Sequence, residues 1–192
     1  DRIQHIIIAE DQELPRNLDY GPTPITVVTK EIMKELSDTE TPQGIIAVCW
    51  QERTDQGEIN GSAFLLLDAV QDPGNLGTLI RTADAAGIDA VIAGPGTVDI
   101  YNPKVIRSAQ GSHFHIPVIR DELNKWIEKL QKDKIPVYGT ALENGADFRE
   151  IAPSRSFALL VGNEGRGVSK ELLELTDKNL YIPIYGKSES LN

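Results

Sequence analysis

The segment Asp72-Pro-Gly-Asn-Leu-Gly-Thr-Leu-Ile-Arg81 decides the fold, because turn residues there separate a short apolar run from a helical pattern. Two other polar segments also follow apolar runs that are predicted as strands: Gly162-Asn-Glu-Gly-Arg-Gly167 and the closing Ser190-Leu-Asn192. We call the three segments motifs 1, 2 and 3. Ligands of open α/β sheets bind outside the carboxyl ends of the strands. We therefore expect the three motifs to meet at one edge of a sheet.

From residue 64 onward, short apolar runs alternate with helical patterns. The predicted strands are residues 64–67, 90–93, 115–119, 136–142, 157–161 and 180–184. The predicted helices are residues 75–86, a helix from Asn102-Pro103 that stops at Gly111, a helix with its apolar stripe over 123–130, and a short helix capped by Ser169. This alternation predicts an α/β domain, a parallel sheet with helices on both faces.

The first third of the chain predicts a smaller α/β unit. Its expected strands are residues 5–9, 25–29 and 45–50, and its expected helix is residues 30–36. Residues 54–62 are polar and contain two glycines, as is typical of a linker. The predicted domains are therefore 1–53 and 63–192, joined by a linker over 54–62.

The net charge of −10 does not favour a nucleic-acid partner, because phosphate contacts need lysine and arginine. Residues 1–62, however, hold 12 acidic against 5 basic residues, whereas residues 63–192 hold 17 against 14. The second part can therefore carry a local basic face. One cysteine, Cys49, excludes an internal disulfide, and no apolar run is long enough to cross a membrane, so we expect a cytoplasmic protein.

Motifs 1 and 2 each admit more than one explanation from their residues alone. Pro-Gly-Asn is ordinary turn chemistry, Asp72 or Asn75 can cap a helix, and Arg81 can be a solvated arginine. Motif 2 has the G-x-x-x-x-G spacing of a phosphate-binding loop, but Val168 replaces the required lysine, which argues against an NTPase. Motif 2 also offers backbone polar groups and one carboxylate, Glu164, and these suit a small cofactor.

Other polar residues give weaker signals. His113 and His115 have no third histidine or cysteine near them in the sequence to complete a metal site, so no metal is expected. Four lysines can form either the solvated face of their helix or a phosphate-binding track: Lys125, Lys129, Lys132 and Lys134.

The three motifs together resemble those of the SpoU family of RNA ribose methyltransferases, within the SPOUT superfamily, from about residue 64 to the end. The resemblance implies methyl transfer from S-adenosylmethionine (SAM) to a ribose 2′-hydroxyl of RNA, and a C-terminal trefoil knot. The implied catalytic residues are Asn75, Arg81, Glu164, Ser190 and Asn192. The implied SAM-binding residues are Thr140, Ala141, Leu142, Gly162, Asn163, Glu164, Ile182, Ile184 and Leu191. We expect that a valine at position 162 blocks SAM binding and leaves the fold intact.

The first third resembles the ribosomal-protein-like substrate-binding domain of many SpoU enzymes, with Thr41-Pro-Gln-Gly44 before the third strand as the matching stretch. The resemblance implies an RNA partner, ribosomal RNA more than transfer RNA, and a homodimer. The start of that domain and the final knot helix of the family are expected to be missing from this chain. The alternative is a catalytically silent RNA-binding assembly factor, against which the five implied catalytic residues argue.

Overall fold

A computed structural model of the chain describes residues 3–16, 19–51, 59–142, 145–152 and 154–187. It divides into two compact units, Asp1–Arg53 and Thr54–Asn192. The first unit contains strands β1 (Ile3–Ala9), β2 (Ile25–Val28) and β3 (Ile45–Cys49) and helix α1 (Lys30–Leu36). β1 lies in the middle, parallel to β2 and antiparallel to β3. The predicted elements of this unit are confirmed, with β2 and β3 ending one residue early.

The second unit is built on a sheet of seven parallel strands. Along the chain its elements are β4 (Ala63–Leu67), α2 (Pro73–Ala85), β5 (Ala90–Ala93), α3 (Pro103–Ala109), β6 (Val118–Arg120), α4 (Leu123–Lys132), β7 (Val137–Thr140), β8 (Ala146–Asp147), β9 (Phe157–Val161), α5 (Lys170–Leu175) and β10 (Lys178–Tyr181). The strand order in the sheet is β6-β5-β4-β9-β7-β10-β8, and every pairing is parallel. The predicted α/β architecture is confirmed.

Helices cover both faces of this sheet. Side chains of a strand point alternately to opposite faces, so each strand contributes to the core on both sides. In β4, Phe64 and Leu66 pack with the apolar side chains of α4, whereas Leu65 and Leu67 pack with those of α2 and α3. The two resulting cores lie on opposite sides of β4. Among the described residues, no helix is both long and apolar enough to span a bilayer.

Helix α2 begins earlier than the sequence predicts. Pro73 opens it, and Asp72 is the N-cap, whose Oδ1 accepts a 2.8 Å hydrogen bond from the backbone N–H of Asn75. The predicted start at residue 75 is wrong because Pro73, with its fixed φ and no N–H to satisfy, fits the first helical position. Asn75 therefore lies within the first turn.

Gly77 sets the close approach of α2 to α3. A Cβ at this position would lie 2.4 Å from Cβ of Ser108 and 2.6 Å from the carbonyl oxygen of Val105. Only glycine lets the two backbones pack at this separation. The position of motif 1 is thus tied to α3.

Three predicted strands have different bounds. Residues 115–119 were expected as one strand, but a 3₁₀ turn occupies Ser112–Phe114 and β6 begins only after Pro117. The strand expected over 136–142 is limited to Val137–Thr140. The strand expected over 180–184 is Lys178–Tyr181, which ends before Pro183, a residue with no ladder N–H to donate. The two-residue β8 was not predicted.

Candidate active site at the carboxyl ends of the strands

Motifs 1 and 2 follow two neighbouring strands. β4 pairs with β9 along its length, with Leu67 opposite Val161, and the chain continues from these residues into motif 1 and motif 2. The backbone N–H of Asp68 donates to the carbonyl of Val161 at 2.8 Å, and the Asp68 carboxylate accepts from the backbone N–H of Ser169 at 2.7 Å. The two loops are therefore fixed to each other at the sheet edge.

Glu164 of motif 2 is hydrogen-bonded to the start of motif 1. Its Oε1 accepts from the backbone N–H of Asp72 at 3.0 Å and from Nδ2 of Asn75 at 3.2 Å. Its Oε2 accepts from the backbone N–H of Gln71 at 3.2 Å. One carboxylate thus accepts hydrogen bonds from three donors, two in the backbone before α2 and one on a side chain of its first turn.

These contacts determine the ionisation of Glu164. Partial desolvation raises the pKa of this carboxyl, but hydrogen bonds from its own backbone, from Asp72 and Gln71 and from the Asn75 amide outweigh it. The net pKa lies below the ordinary value, so Glu164 is a carboxylate at neutral pH. Its stabilising contacts are lost only as the pH falls through that lowered pKa.

Motif 2 folds back on itself through Asn163 and Gly162. Asn163 exchanges backbone hydrogen bonds with Gly167, its Oδ1 accepts from Gly165 and Arg166, and its Nδ2 donates to the carbonyl of Ala69. A Cβ on Gly162 would lie 2.1 Å from backbone atoms of Gly167 and Val168. The expectation that a valine at position 162 spares the fold is therefore wrong, because the side chain would collide with the loop backbone.

Arg81 lies on the exposed side of α2, six residues after Asn75. That separation corresponds to a rise of about 9 Å and a rotation of about 120° around the axis. Among the residues that the structure describes, no carboxylate forms an ion pair with its guanidinium. Asn75 and Glu164 are thus brought into contact, and Arg81 is on the same helix but outside that contact.

Three loops that the resemblance assigns to SAM leave adjacent strands. β7 lies between β9 and β10, so Thr140, Gly162 and Ile182 stand at one edge. Thr140 Oγ1 donates to the carbonyl of Leu160 at 3.0 Å, and Ala141 N donates to that of Leu180 at 3.0 Å. Leu142 and Ile182 are 73% and 54% exposed there. Unburied apolar side chains beside loop backbone fit the adenosine part of SAM.

Some predicted site residues lie outside the described ranges: Ser190, Leu191 and Asn192. In the described part of the chain, no group of His, Cys, Asp and Glu could hold a metal ion. The two histidines have structural contacts instead, His113 with the carbonyl of Ile100 at 2.8 Å and His115 with Asp84 at 2.7 Å.

The structure adds two residues to this edge that the sequence did not single out as functional. Asp72 both caps α2 and donates to Glu164 through its N–H. Lys104 of α3 places its Nζ 3.8 Å from Oδ2 of Asp72. The pair Asn102-Pro103 correctly predicted the start of α3, but no sequence signal indicated that α3 lies beside motif 1.

The chain matches two family models. Residues 62–192 match the SpoU rRNA Methylase family, and residues 1–54 match the model for RNA 2′-O ribose methyltransferase substrate binding. The chain belongs to the SpoU rRNA methylase family. The protein RlmP of Bacillus subtilis (strain 168), a 23S rRNA (guanosine(2553)-2′-O)-methyltransferase, is 50% identical over 190 residues, 99% of this chain and 75% of RlmP. A putative TrmH family tRNA/rRNA methyltransferase of Staphylococcus epidermidis is 36% identical over 68% of this chain and 53% of that protein.

Solved structures of SpoU-type enzymes share the fold. An AdoMet-bound rRNA methyltransferase from Sinorhizobium meliloti superposes with a TM-score of 0.81 and 32% identity, covering 89% of this chain and 67% of that one. The SpoU methyltransferase AviRb from Streptomyces viridochromogenes, in complex with AdoMet, gives a TM-score of 0.86 and 27% identity over 99% of this chain and 77% of that one. The predicted family, enzyme class and cofactor are confirmed: the protein is an RNA 2′-O-methyltransferase that uses SAM.

Proposed function

We propose that this SpoU enzyme methylates the 2′-hydroxyl of one nucleotide in large-subunit ribosomal RNA. The observation that carries the proposal is the 50% identity to RlmP over almost the whole chain, since that relative acts on 23S rRNA. The contact between Asn75 and Glu164 supports it, because it joins two of the three motifs at one sheet edge.

Within that site we assign a separate role to each motif. Glu164 and Asn75 hold the two loops in register, which fixes the edge against which a ribose is placed. Arg81, which always carries its charge, stabilises the oxyanion that develops on the 2′-oxygen. Ser190 and Asn192 complete the catalytic set by resemblance.

SAM, when bound, supplies the methyl group. The residues that would hold it are those of the three loops after β9, β7 and β10, together with Leu191. The exposed Leu142 and Ile182 would cover apolar parts of the cofactor. Asn163 uses its polar groups on the backbone of motif 2 and on the carbonyl of Ala69, so its contribution is to shape the loop that SAM contacts.

We also propose the larger organisation that the family resemblance implies. Residues 1–53 bind the RNA substrate, residues 54–62 are the linker and residues 63–192 are the catalytic domain. The working form is a knotted homodimer in the cytoplasm. Light scattering at micromolar concentration tests the dimer, and a monomer there would contradict it.

The experiment that tests the function is methyl transfer to defined RNA. The purified protein is incubated with methyl-labelled SAM and unmodified 23S rRNA, 16S rRNA or tRNA, and ribose methylation is mapped in each. We expect label at one nucleotide of 23S rRNA. Label confined to tRNA would contradict the assignment, and RNA binding with no label in any RNA would favour the assembly-factor alternative.

A further inference from the structure

The sheet edge that carries motifs 1 and 2 is rich in carboxylates. Asp68, Asp72 and Glu164 all lie there: the Glu164 carboxylate accepts from the backbone N–H of Asp72, and the Asp68 carboxylate accepts from that of Ser169. RNA is a polyanion, so these groups repel the phosphates that flank a target ribose. A site at this edge therefore needs cations next to motif 1 to admit its substrate.

Lys104 is a cation in that position. It is the second residue of α3, and its Nζ lies 3.8 Å from Oδ2 of Asp72. A Cβ on Gly74 would lie 3.8 Å from Lys104 Cε, so the lysine stem runs along the first turn of α2. In the described ranges, Lys104 is the one lysine or arginine that forms an ion pair with a carboxylate of motif 1 or 2.

The pairing with Asp72 is loose. A distance of 3.8 Å exceeds that of a charge-assisted hydrogen bond, and the side chains of Lys104 and Asp72 are 58% and 47% exposed. The other oxygen of Asp72, Oδ1, is already used to cap α2. The ammonium has three donors and a flexible stem, so it can bind a second anion without disturbing that cap.

We propose that Lys104 binds the RNA phosphate next to the target ribose. This inference rests on the proposed function, because it takes the edge at motif 1 to be where the ribose lies. The 2′-hydroxyl and the 3′-phosphate are on adjacent carbons of one ribose, so a ribose at Asn75 and Glu164 brings a phosphate within reach of a lysine stem. Lys104 is then a substrate-binding residue, which positions the strand and reads no base.

The test is the salt dependence of RNA binding by Lys104→Gln. The probe is deproteinised 23S rRNA, and Kd is measured over a series of salt concentrations. Loss of one phosphate contact should lower the slope of log K against log salt by about 0.7 to 0.9. Lys104→Arg should keep the slope. Lys178→Gln is the matched control, since it removes the same charge from the exposed first residue of β10, at the amino ends of the strands.

Two outcomes would overturn the inference: the slope is unchanged in Lys104→Gln, or Lys178→Gln lowers it equally. If the slope is unchanged in Lys104→Gln while SAM affinity and melting temperature fall, Lys104 only supports the Asp72 cap. Binding is read without methylation, so failure of the wild-type protein to methylate 23S rRNA would count against the proposed function and not against the Lys104 contact.

Discussion

Asn75 Nδ2 lies 3.2 Å from Oε1 of Glu164, a contact between two residues 89 positions apart in the chain. The same oxygen accepts the backbone N–H of Asp72, so the side-chain contact and the start of α2 share one acceptor. The geometry of motif 1 therefore depends on a carboxylate of motif 2. A substitution at either residue should therefore alter the geometry of both loops.

Glu164→Gln should destabilise the second unit and weaken SAM binding. An amide has one acceptor oxygen, so its NH₂ group would face a backbone N–H that now lacks a partner. Because the site is partly solvated, we expect a loss of about 1 kcal/mol in the free energy of unfolding, measured by chemical denaturation. Glu174→Gln, on the exposed side of α5, is the control. Equal stability of the two variants would show that the three contacts contribute nothing.

Arg81→Lys should methylate about a hundredfold more slowly while SAM affinity and most RNA affinity are kept. The loss of one donor that acts mainly in the transition state typically costs about 3 kcal/mol. Single-turnover rates at saturating RNA measure this, with Arg155→Lys as a matched exposed control. A normal rate would make Arg81 a phosphate anchor instead.

Leu142→Gln should weaken SAM binding about tenfold and leave stability unchanged. Leu142 is 73% exposed, so its side chain contributes little to the core but would be covered by the cofactor. Isothermal calorimetry measures the affinity. Leu175→Gln changes an exposed leucine at the end of α5, which is 40% exposed, and should bind SAM normally. If both variants bind normally, the assignment of SAM to the loop after β7 is wrong.

Gly162→Ala should lower the free energy of unfolding by about 2 kcal/mol or more, because the new methyl group would lie 2.1 Å from loop backbone. Gly165→Ala, three residues later, is the control. Its Cβ would lie 3.6 Å from Asn163 Oδ1, which is ordinary contact, so we expect little change. Thermal melting of the two variants measures this. A loss of stability in Gly162→Ala alone would show a backbone collision, whereas an equal loss in both variants would show that motif 2 tolerates no added side chain.

Protonation of His113 should destabilise the second unit as the pH falls from neutral to mildly acidic. Burial lowers the pKa of this imidazole, opposed by its bond to the carbonyl of Ile100, and Nδ1 is buried with no hydrogen-bond partner in the described residues. Because the pKa of the folded state is lowered, the neutral form is favoured, and stability falls as the pH drops from the ordinary value of about 6.5 toward that lowered pKa. His113→Gln should flatten that part of the pH profile of unfolding.

The strands and helices of the second unit could be predicted from the sequence because continuous apolar runs mark its buried strands and apolar residues at helical spacing mark its helices. The run Ala90–Ala93 is apolar at every position and is buried on both faces, and α4 shows its apolar stripe at 123, 126, 127 and 130. The family motifs likewise marked Asn75 and Glu164 as neighbours in space. Both kinds of signal are local and strong.

Other features depend on tertiary contacts that no local pattern encodes. The start of β6 was misplaced because His115 packs on Asp84 of α2 and ends a turn there, although its own neighbours are apolar. The role of Lys104 needed the packing of α3 on α2. The collision at Gly162 needed the backbone path of motif 2, which folds back within hydrogen-bonding distance of its own start.

The packing at Gly77 limits how motif 1 can change in evolution or design. Trimming Ser108 to glycine would remove only one of the atoms that a Cβ at position 77 meets, since the carbonyl oxygen of Val105 at 2.6 Å and the amide nitrogen of Ala109 at 2.9 Å belong to the backbone. A second-site substitution on α3 therefore cannot rescue a larger residue there. Any such replacement must displace the whole helix, and with it both Asn75 and Arg81, so position 77 should stay glycine in every active variant selected from a library.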